Sequence, residues 1–227
     1  MAEELQQFAD ILENAADFDT ALQKLICDTL TAHKRIIFNG NGYSDEWADE
    51  AARRGLSNLP STAKALPTYI SQKNLELVTK HGIFTESEFH ARYEIYLESY
   101  NKLMHIEAKT MVDMALHQIL PAALRYSADL SAGLINKRQA LGNPNTGKAE
   151  ASLIDRITTA CDTLYVQVEA LHGDIKQVPT DSRLAADYYC DVIVPQMQDL
   201  RETADLLEKL TAKSYWPYPL YSDILFY

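Results

Sequence analysis

The chain has 227 residues, of which 47% are hydrophobic and 23% are charged, a balance typical of a folded globular protein with its own core. Its formal net charge of −11 and isoelectric point of about 5.0 predict no binding to nucleic acid or to an anionic membrane surface. The three cysteines are widely separated, which favours reduced thiols in a cytoplasmic protein. Neither a secretion signal nor a membrane-spanning segment is predicted.

The N-terminal part of the chain alternates between helical patterns and breaks. Residues 2–13 and 20–34 place apolar side chains at helical spacing, and each of these helices needs a surface to pack on. The run RIIF predicts a short strand, and the glycines in the following FNGNGYSDEW predict a sharp turn. A helix from Asp45 follows, with Ser44 as its cap and Gly55 at its end.

The remainder of the chain is predicted to be long helices. Residues 56–70 contain two prolines and predict a linker between two unlike regions. Beyond this linker, apolar stripes continue at helical spacing over long stretches with little glycine or proline. These stripes predict helices over residues 71–80, 86–141, 149–172 and 182–213.

Caps and prolines refine this prediction. The motif TESE at residues 85–88 is a capping box, which predicts the start of the helix at residue 86. Pro121 and Pro195 stand inside long helices, where each removes a backbone hydrogen bond and is expected to bend its helix. The predicted fold is all-α: a bundle of long, proline-bent helices with an irregular N-terminal part and an extended aromatic C-terminal tail.

The aromatic segment SYWPYPLYSDILFY ends the chain and is the strongest candidate for a contact site. Interfaces between proteins are enriched in Trp and Tyr, so the segment is a candidate interface between subunits. The sequence leaves equally open that the segment covers the core of its own chain. The candidate interface residues are Tyr215, Trp216, Tyr218, Tyr221 and Phe226.

Short motifs that match catalytic or metal-binding patterns are all incomplete. GNPNTGKA contains the glycines and lysine of a phosphate-binding P-loop, but Ala149 replaces the required Ser or Thr. STAK, which begins at Ser61, lacks the partner motifs of acylating serine enzymes, so a helix cap is the better interpretation. Glu169 and His172 form one Glu-x-x-His, whereas di-iron bundles need two. We therefore predict no catalytic, cofactor-binding or metal-binding residue in this chain.

Three separated stretches resemble a known family. They are HKRIIFNGNGYSDEWADEAARRGLSNLPSTAKALP at residues 33–67, HIEAKTMVDMALHQILPAAL at residues 105–124 and YWPYPLYSDILF at residues 215–226. Together, and in this order, they resemble the carboxyl-terminal region of type III glutamine synthetases. The resemblance implies that residues 1–70 are the outgoing edge of the catalytic domain. It also implies that residues 71–227 are the helical C-terminal domain of the type III form.

The resemblance also implies a parent enzyme, which makes glutamine from glutamate and ammonia with ATP and Mg²⁺ or Mn²⁺. The family's metal-binding and substrate-binding residues lie upstream of this region, so no catalytic residue is assigned here and no cofactor is expected in this chain. The implied partners are further copies in a double-ring homo-oligomer and the rest of the glutamine synthetase chain. Met1 stands where the family would be mid-chain, which suggests an expressed fragment or a separately encoded remnant.

The function expected from the resemblance is structural. We expect a non-catalytic C-terminal helical part of a glutamine synthetase that supports subunit contacts and is inactive on its own. The alternative is a free-standing helical interaction module without ligase activity.

Overall fold

A computed structural model of the chain describes residues 1–225, apart from the side chains of Tyr221 and Ser222. Helices dominate this range and no β-strand occurs in it, so the prediction of an all-α fold is confirmed. The chain forms two compact units, Met1–Pro60 and Ser61–Tyr227. The assignment of residues 1–70 and 71–227 to two domains of a longer enzyme stays a prediction, because compactness does not identify a parent domain. Within the described range, none of the helices has the length and apolar content needed to cross a membrane.

The first unit contains three α-helices and one short turn. Helix α1 spans Ala2–Glu13, α2 spans Phe18–Ala32, a 3₁₀ turn spans Lys34–Ile36 and α3 spans Asp45–Arg53. The prediction of a strand in RIIF is wrong. The turn occupies part of that run, and residues 1–225 contain no strand that could exchange backbone hydrogen bonds with Ile37.

Stacked side chains hold the segment that precedes α3. The rings of Phe38 and Trp47 lie 4.4 Å apart between centroids. The Arg54 guanidinium lies about 6 Å from each ring, at 5.9 and 6.0 Å, and donates a hydrogen bond to the Ile37 carbonyl. A Cβ atom on Gly40 would stand 2.4 Å from the Phe38 ring. Glycine thus allows the Phe38 ring to approach the backbone at that position, whose φ angle is not left-handed.

The sequence predictions for the start and the end of α3 have different outcomes. Ser44 occupies the position before the helix, but its hydroxyl donates to the Asn41 carbonyl at 2.9 Å and accepts no bond from the helix. Ser44 is therefore the N-cap residue of α3 as predicted, but the expected cap by its side chain is absent. Gly55 follows α3 with a φ angle of 71°, which confirms it as the residue that ends the helix.

The first unit has almost no core of its own. Among residues 1–60, Ala51 alone is buried, and neither α1 nor α2 buries any residue. Their apolar side chains nevertheless follow helical spacing, as the sequence predicted. Several large apolar side chains are exposed in α1, in α2, in the 3₁₀ turn and at the residue after this turn. They are Leu5, Ile11, Phe18, Ile26, Leu30, Ile36 and Ile37.

The second unit consists of helices with one large buried core and a second, smaller buried cluster. Their bounds are α4 Thr62–Tyr69, α5 Gln72–Lys80, α6 Glu86–Met114, α7 Leu120–Leu141, α8 Lys148–Ile175, α9 Ser182–Tyr188, α10 Val194–Leu210 and α11 Tyr221–Leu225. Helix α8 packs against α6, α7 and α10. Its inward side chains Ile157, Leu164 and Leu171 have no exposed surface, and Leu207 of α10 is equally buried. The apolar stripe predicted over residues 149–172 is confirmed as the inward face of α8.

The capping box at the start of α6 is confirmed. The Thr85 hydroxyl accepts a hydrogen bond from the backbone N–H of Glu88, and the Glu88 carboxylate accepts one from the backbone N–H of Thr85 at 2.8 Å. The bond that the carboxylate accepts from the Thr85 backbone, and then the one that it accepts from the Thr85 hydroxyl, lower the pKa of the Glu88 carboxyl. The first turn of the longest helix is thereby supplied with two of its missing hydrogen bonds.

The two interior prolines are each preceded by one wide π-helical turn. The turn before Pro121 spans Ala115–Ile119, and the N–H of Leu120 donates to the carbonyl five residues earlier. The turn before Pro195 spans Tyr189–Ile193 and has the same pattern. A proline ring clashes with the carbonyl four residues before it, so the extra residue in the turn makes room for the ring without ending the helix.

The linker predicted at residues 56–70 is wrong for its second half, which forms helix α4. Ser61 caps this helix by accepting a hydrogen bond from the backbone N–H of Lys64 at 3.3 Å. The Lys64 ammonium reaches Asp191 at 2.6 Å, in the wide turn before α10. The two prolines of this stretch suggested a break, but a cap and a distant ion pair hold the helix in place.

Pro67 lies inside α4, and its missing hydrogen bond is replaced from another helix. A proline at this position cannot donate to the Ala63 carbonyl. That carbonyl accepts a hydrogen bond from the Arg183 guanidinium on α9. Ala63 itself is fully buried in a second cluster with Tyr93 and Leu97 of α6. Helix α4 is therefore part of the second unit.

Replacement of Leu97 by alanine should destabilise the second unit. Leu97 is 1% exposed, so the change leaves a cavity between α4 and α6 and should lower the free energy of unfolding by about 2–5 kcal/mol. The matched control is Leu103→Ala on the same helix, where 53% exposure predicts a loss below about 1 kcal/mol. Urea denaturation followed by circular dichroism measures both, and equal losses would contradict the packing described here.

The capping box gives a second prediction. Thr85→Ala removes the hydroxyl acceptor and should lower the free energy of unfolding by about 1 kcal/mol. Thr85→Ser keeps a hydroxyl acceptor, so its free energy of unfolding should stay close to that of the original chain. Thermal unfolding of the two variants side by side measures the difference. If serine is as damaging as alanine, the hydroxyl is not the group that stabilises the start of α6.

Candidate functional site

The candidate interface begins where α10 ends. Residues 211–220, called the C-terminal segment below, leave the helix at Thr211, which has an extended backbone and is buried. The Ala212 carbonyl then accepts hydrogen bonds from the backbone N–H groups of Tyr215 and Trp216, at 2.8 and 3.2 Å. These bonds close a tight turn. Prolines at 217 and 219 prevent a continuing helix. The chain turns back, and Trp216 and Tyr218 lie beside Leu200 of α10.

Trp216 anchors the C-terminal segment in the core of its own chain. The side chain is 9% exposed and belongs to the same buried cluster as Leu200 and Leu207 of α10. Tyr218 packs against this cluster, and its hydroxyl is buried without a hydrogen-bond partner among the described residues. Burial raises the pKa of Tyr218, so this hydroxyl keeps its proton.

Tyr215 ties the segment to α7. Its hydroxyl donates to the Asp129 carboxylate at 2.5 Å, and its ring lies 5.1 Å from the Tyr126 ring between centroids. The hydrogen bond to Asp129 is the main cause of a raised pKa for Tyr215. Neither Tyr126 nor Asp129 was a candidate from the sequence, because 86 residues separate the two bonded side chains and no local pattern connects them.

The structure thus brings three of the five candidate residues together on their own bundle. Tyr215, Trp216 and Tyr218 all pack on the second unit. Tyr221 begins α11, but its side chain is not described, and Phe226 lies outside the described residues. The described part of the segment covers its own core, as one of the two alternatives proposed. A role between subunits stays a prediction.

A cavity of about 300 Å³ lies beside Trp216 and Tyr218. Its walls are mainly apolar and come from α6, the wide turn after α6, and α10, with Met111 and Met114 on one side. Charged side chains at the edge of the cavity are Arg201, Asp205 and Glu208. The cavity can hold a small apolar group, but it does not combine a nucleophile with a base.

The incomplete motifs do not assemble into a catalytic site. Ser61 caps α4, and the Lys64 ammonium points to Asp191 instead of the serine. Burial raises the pKa of the Cys161 thiol to about 11, so this thiol is a poor nucleophile at neutral pH. Within residues 1–225, no three His, Cys, Asp or Glu side chains are grouped so that they could hold a metal ion.

The P-loop-like sequence forms the connection between α7 and α8. Gly142 ends α7 and Gly147 precedes α8, both with a left-handed backbone. The Asn143 side chain accepts the N–H of Asn145 at 2.9 Å, a common device in polar turns. The segment before this loop is the end of a helix, whereas a P-loop follows a strand.

Comparison with known proteins identifies the family. The sequence model named glutamine synthetase C-terminal domain matches residues 21–138, which is more than half of the chain and runs from α2 into α7. The chain belongs to the glutamine synthetase C-terminal domain family. The match includes the first two of the three stretches on which the resemblance was based.

Individual glutamine synthetases match nearly the whole chain. One from Butyrivibrio fibrisolvens is 36% identical over 207 residues, which are 90% of the chain and 29% of the relative. A type-3 glutamine synthetase from Dictyostelium discoideum is 34% identical over 215 residues, covering 91% of the chain and 29% of the relative. One from Bacteroides fragilis is 28% identical over 243 residues, covering 100% of the chain and 32% of the relative. The chain thus spans about a third of the length of these curated relatives.

The anchoring of the C-terminal segment can be tested directly. Trp216→Ala should lower the free energy of unfolding by about 3–5 kcal/mol, because a large buried ring is removed from the core. Tyr165→Ala is the control, since its ring is 51% exposed and its loss should cost less than about 1 kcal/mol. Urea denaturation compares the two. Light scattering of both variants reports the mass of the assembly, and an unchanged mass with lost stability would exclude an interface role for Trp216.

Proposed function

We propose that the chain is the non-catalytic C-terminal helical part of a type III glutamine synthetase, which supports subunit contacts and a site built elsewhere in the enzyme. The family match and the likeness to a type-3 relative support the assignment. The parent enzyme would make glutamine from glutamate, ammonia and ATP with Mg²⁺ or Mn²⁺. These ligands would bind in the part of the parent enzyme that this chain does not match.

The unequal burial of the two units carries this proposal. The second unit has a core of fully buried side chains around α8, such as Leu164 and Leu171. The first unit buries only Ala51 and exposes large apolar side chains along α1 and α2. Exposed apolar faces of this kind mark a surface that another body covers. On this proposal, the covering body is the rest of the glutamine synthetase.

Subunit contacts are supported by the outer face of α6. Ile95, Leu103 and Ile106 are 59%, 53% and 62% exposed. Their spacings of 8 and 3 residues place them on one stripe of the helix. An apolar stripe on a helix that already buries its opposite face is suited to packing against a second copy of the enzyme. We therefore infer a homo-oligomeric parent.

A chimeric enzyme tests the proposed function. The chain replaces the matching segment of the Butyrivibrio fibrisolvens glutamine synthetase, and glutamine is measured with ATP, Mg²⁺, glutamate and ammonia. The chimera should form glutamine, while the chain alone and the truncated relative alone should not. A folded chimera without activity contradicts the assignment, and so does turnover by the chain alone.

Two substitutions on α2 test the proposed contact. Ile26→Glu places a charge on the exposed apolar face, where Ile26 is 50% exposed, and should lower glutamine formation by the chimera at least about tenfold. Lys24→Gln makes the same change in net charge on the opposite side of the same helix, where Lys24 is exposed, and should change activity little. Circular dichroism of the isolated chain should show that neither change unfolds the second unit. Equal effects of the two substitutions would contradict a packed apolar face.

A further inference from the structure

A groove between α6 and α8 differs in charge from the rest of this acidic chain. Its volume is about 450 Å³, and it lies between the second half of α6, with the wide turn that follows, and the end of α8. The apolar side chains in the groove are Val112, Leu116 and Ile175. Nitrogen-bearing side chains surround them: Lys109, Lys176, His105, His117 and His172. Three of the chain's six histidines therefore line one groove.

The two lysines of the groove have no carboxylate partner within the described part of the chain. Several strong cations elsewhere in the second unit do have one, for example Lys64 with Asp191 and Lys137 with Glu150. Asp113 is the one carboxylate among the described residues that line the groove, and it lies 2.9 Å from Nδ1 of His117. With neutral histidines the lining still carries a net positive charge of one, in a chain whose net charge is −11.

His105 offers a hydrogen-bond donor to the groove. Its Nδ1 atom lies 3.0 Å from the hydroxyl of Tyr189, which is 4% exposed. Burial raises the pKa of Tyr189, so the hydroxyl keeps its proton and can donate it to Nδ1. In the tautomer that accepts this bond, the ring proton of His105 is on Nε2, the nitrogen that remains for a ligand in the groove.

Helix ends explain only part of this arrangement. Lys176 and His172 are at the C-terminal end of α8, where the exposed carbonyl groups favour cations. Lys109 lies five residues before the end of α6, where the helix continues through the wide turn into α7 and leaves no free carbonyl groups. The nearby Asp174 carboxylate accepts hydrogen bonds from the side chains of Gln177 and Gln196, at 3.3 and 2.5 Å, so it is engaged away from the lysines.

We propose that this groove binds a small organic phosphate, with the phosphate group contacted by Lys109 and Lys176 and the apolar part of the ligand against Val112, Leu116 and Ile175. Lysine ammonium groups and imidazole N–H groups suit the several acceptor oxygens of a phosphate. The volume is that of a small-molecule site. The proposal does not depend on the proposed function above.

Titration calorimetry of the intact chain with phenyl phosphate tests the site. Saturable binding with one ligand per chain is expected. The double variant Lys109→Ala, Lys176→Ala should weaken this binding at least about tenfold, because two charge-assisted contacts to the phosphate are lost. The control is the double variant Lys73→Ala, Lys148→Ala, which removes the same charge from exposed positions outside the groove and should bind within about twofold of the original chain.

Two further probes separate the contributions to binding. Phenol, which lacks the phosphate, and inorganic phosphate, which lacks the apolar part, should each bind at least about tenfold more weakly than phenyl phosphate. Added sodium chloride should weaken phenyl phosphate binding. The proposal is overturned if phenyl phosphate shows no saturable binding, if the control variant loses as much affinity as the groove variant, or if phenol binds as tightly.

Discussion

The burial of α8 is the constraint on which the second unit depends. This helix presents Ile157, Leu164 and Leu171 inward without exposed surface, and α6, α7 and α10 close around it. The wide turns before Pro121 and Pro195 allow the flanking helices to continue past a proline while they cover α8. Trp216 fills the same core from the C-terminal segment. The cavity beside Trp216 and the basic groove both exist because these helices are held in fixed positions.

The parts of this fold that local sequence determines were predictable. Helical spacing of apolar residues predicted the inward face of α8, and the capping box predicted where α6 begins, because both patterns act within a few residues of one helix. Helix α4 was missed for the opposite reason. Its support comes from Arg183 and Asp191, more than 100 residues away, and nothing near its prolines indicated such partners.

The candidate site shows the same division between local and distant signals. The aromatic composition of the C-terminal segment marked it as a contact site, but the bond from Tyr215 to Asp129 depends on how α7 and α10 each pack on α8. The groove between α6 and α8 left no motif, since His105 and Lys176 become neighbours only after the helices pack. Residues 33–67 and 105–124 were informative in another way, because they identified the family without any knowledge of the fold.

The first unit gives the family assignment its physical meaning. A glutamine synthetase of which this chain spans about a third has other surfaces that can cover α1 and α2, whose apolar faces bury no residue here. The second unit needs no such cover for its core. One chain thus combines a helical bundle that has its own core with a unit that leaves the apolar side chains of its first two helices exposed.

Hydrogen exchange of the chain tests this account most directly, at a concentration where light scattering gives the mass of one copy. Amide protons of α8 should exchange slowly, because opening them requires loss of the core, whereas those of α1 and α2 should exchange far faster. Protection in α1 and α2 equal to that in α8 would contradict the claim that the first unit requires a partner surface.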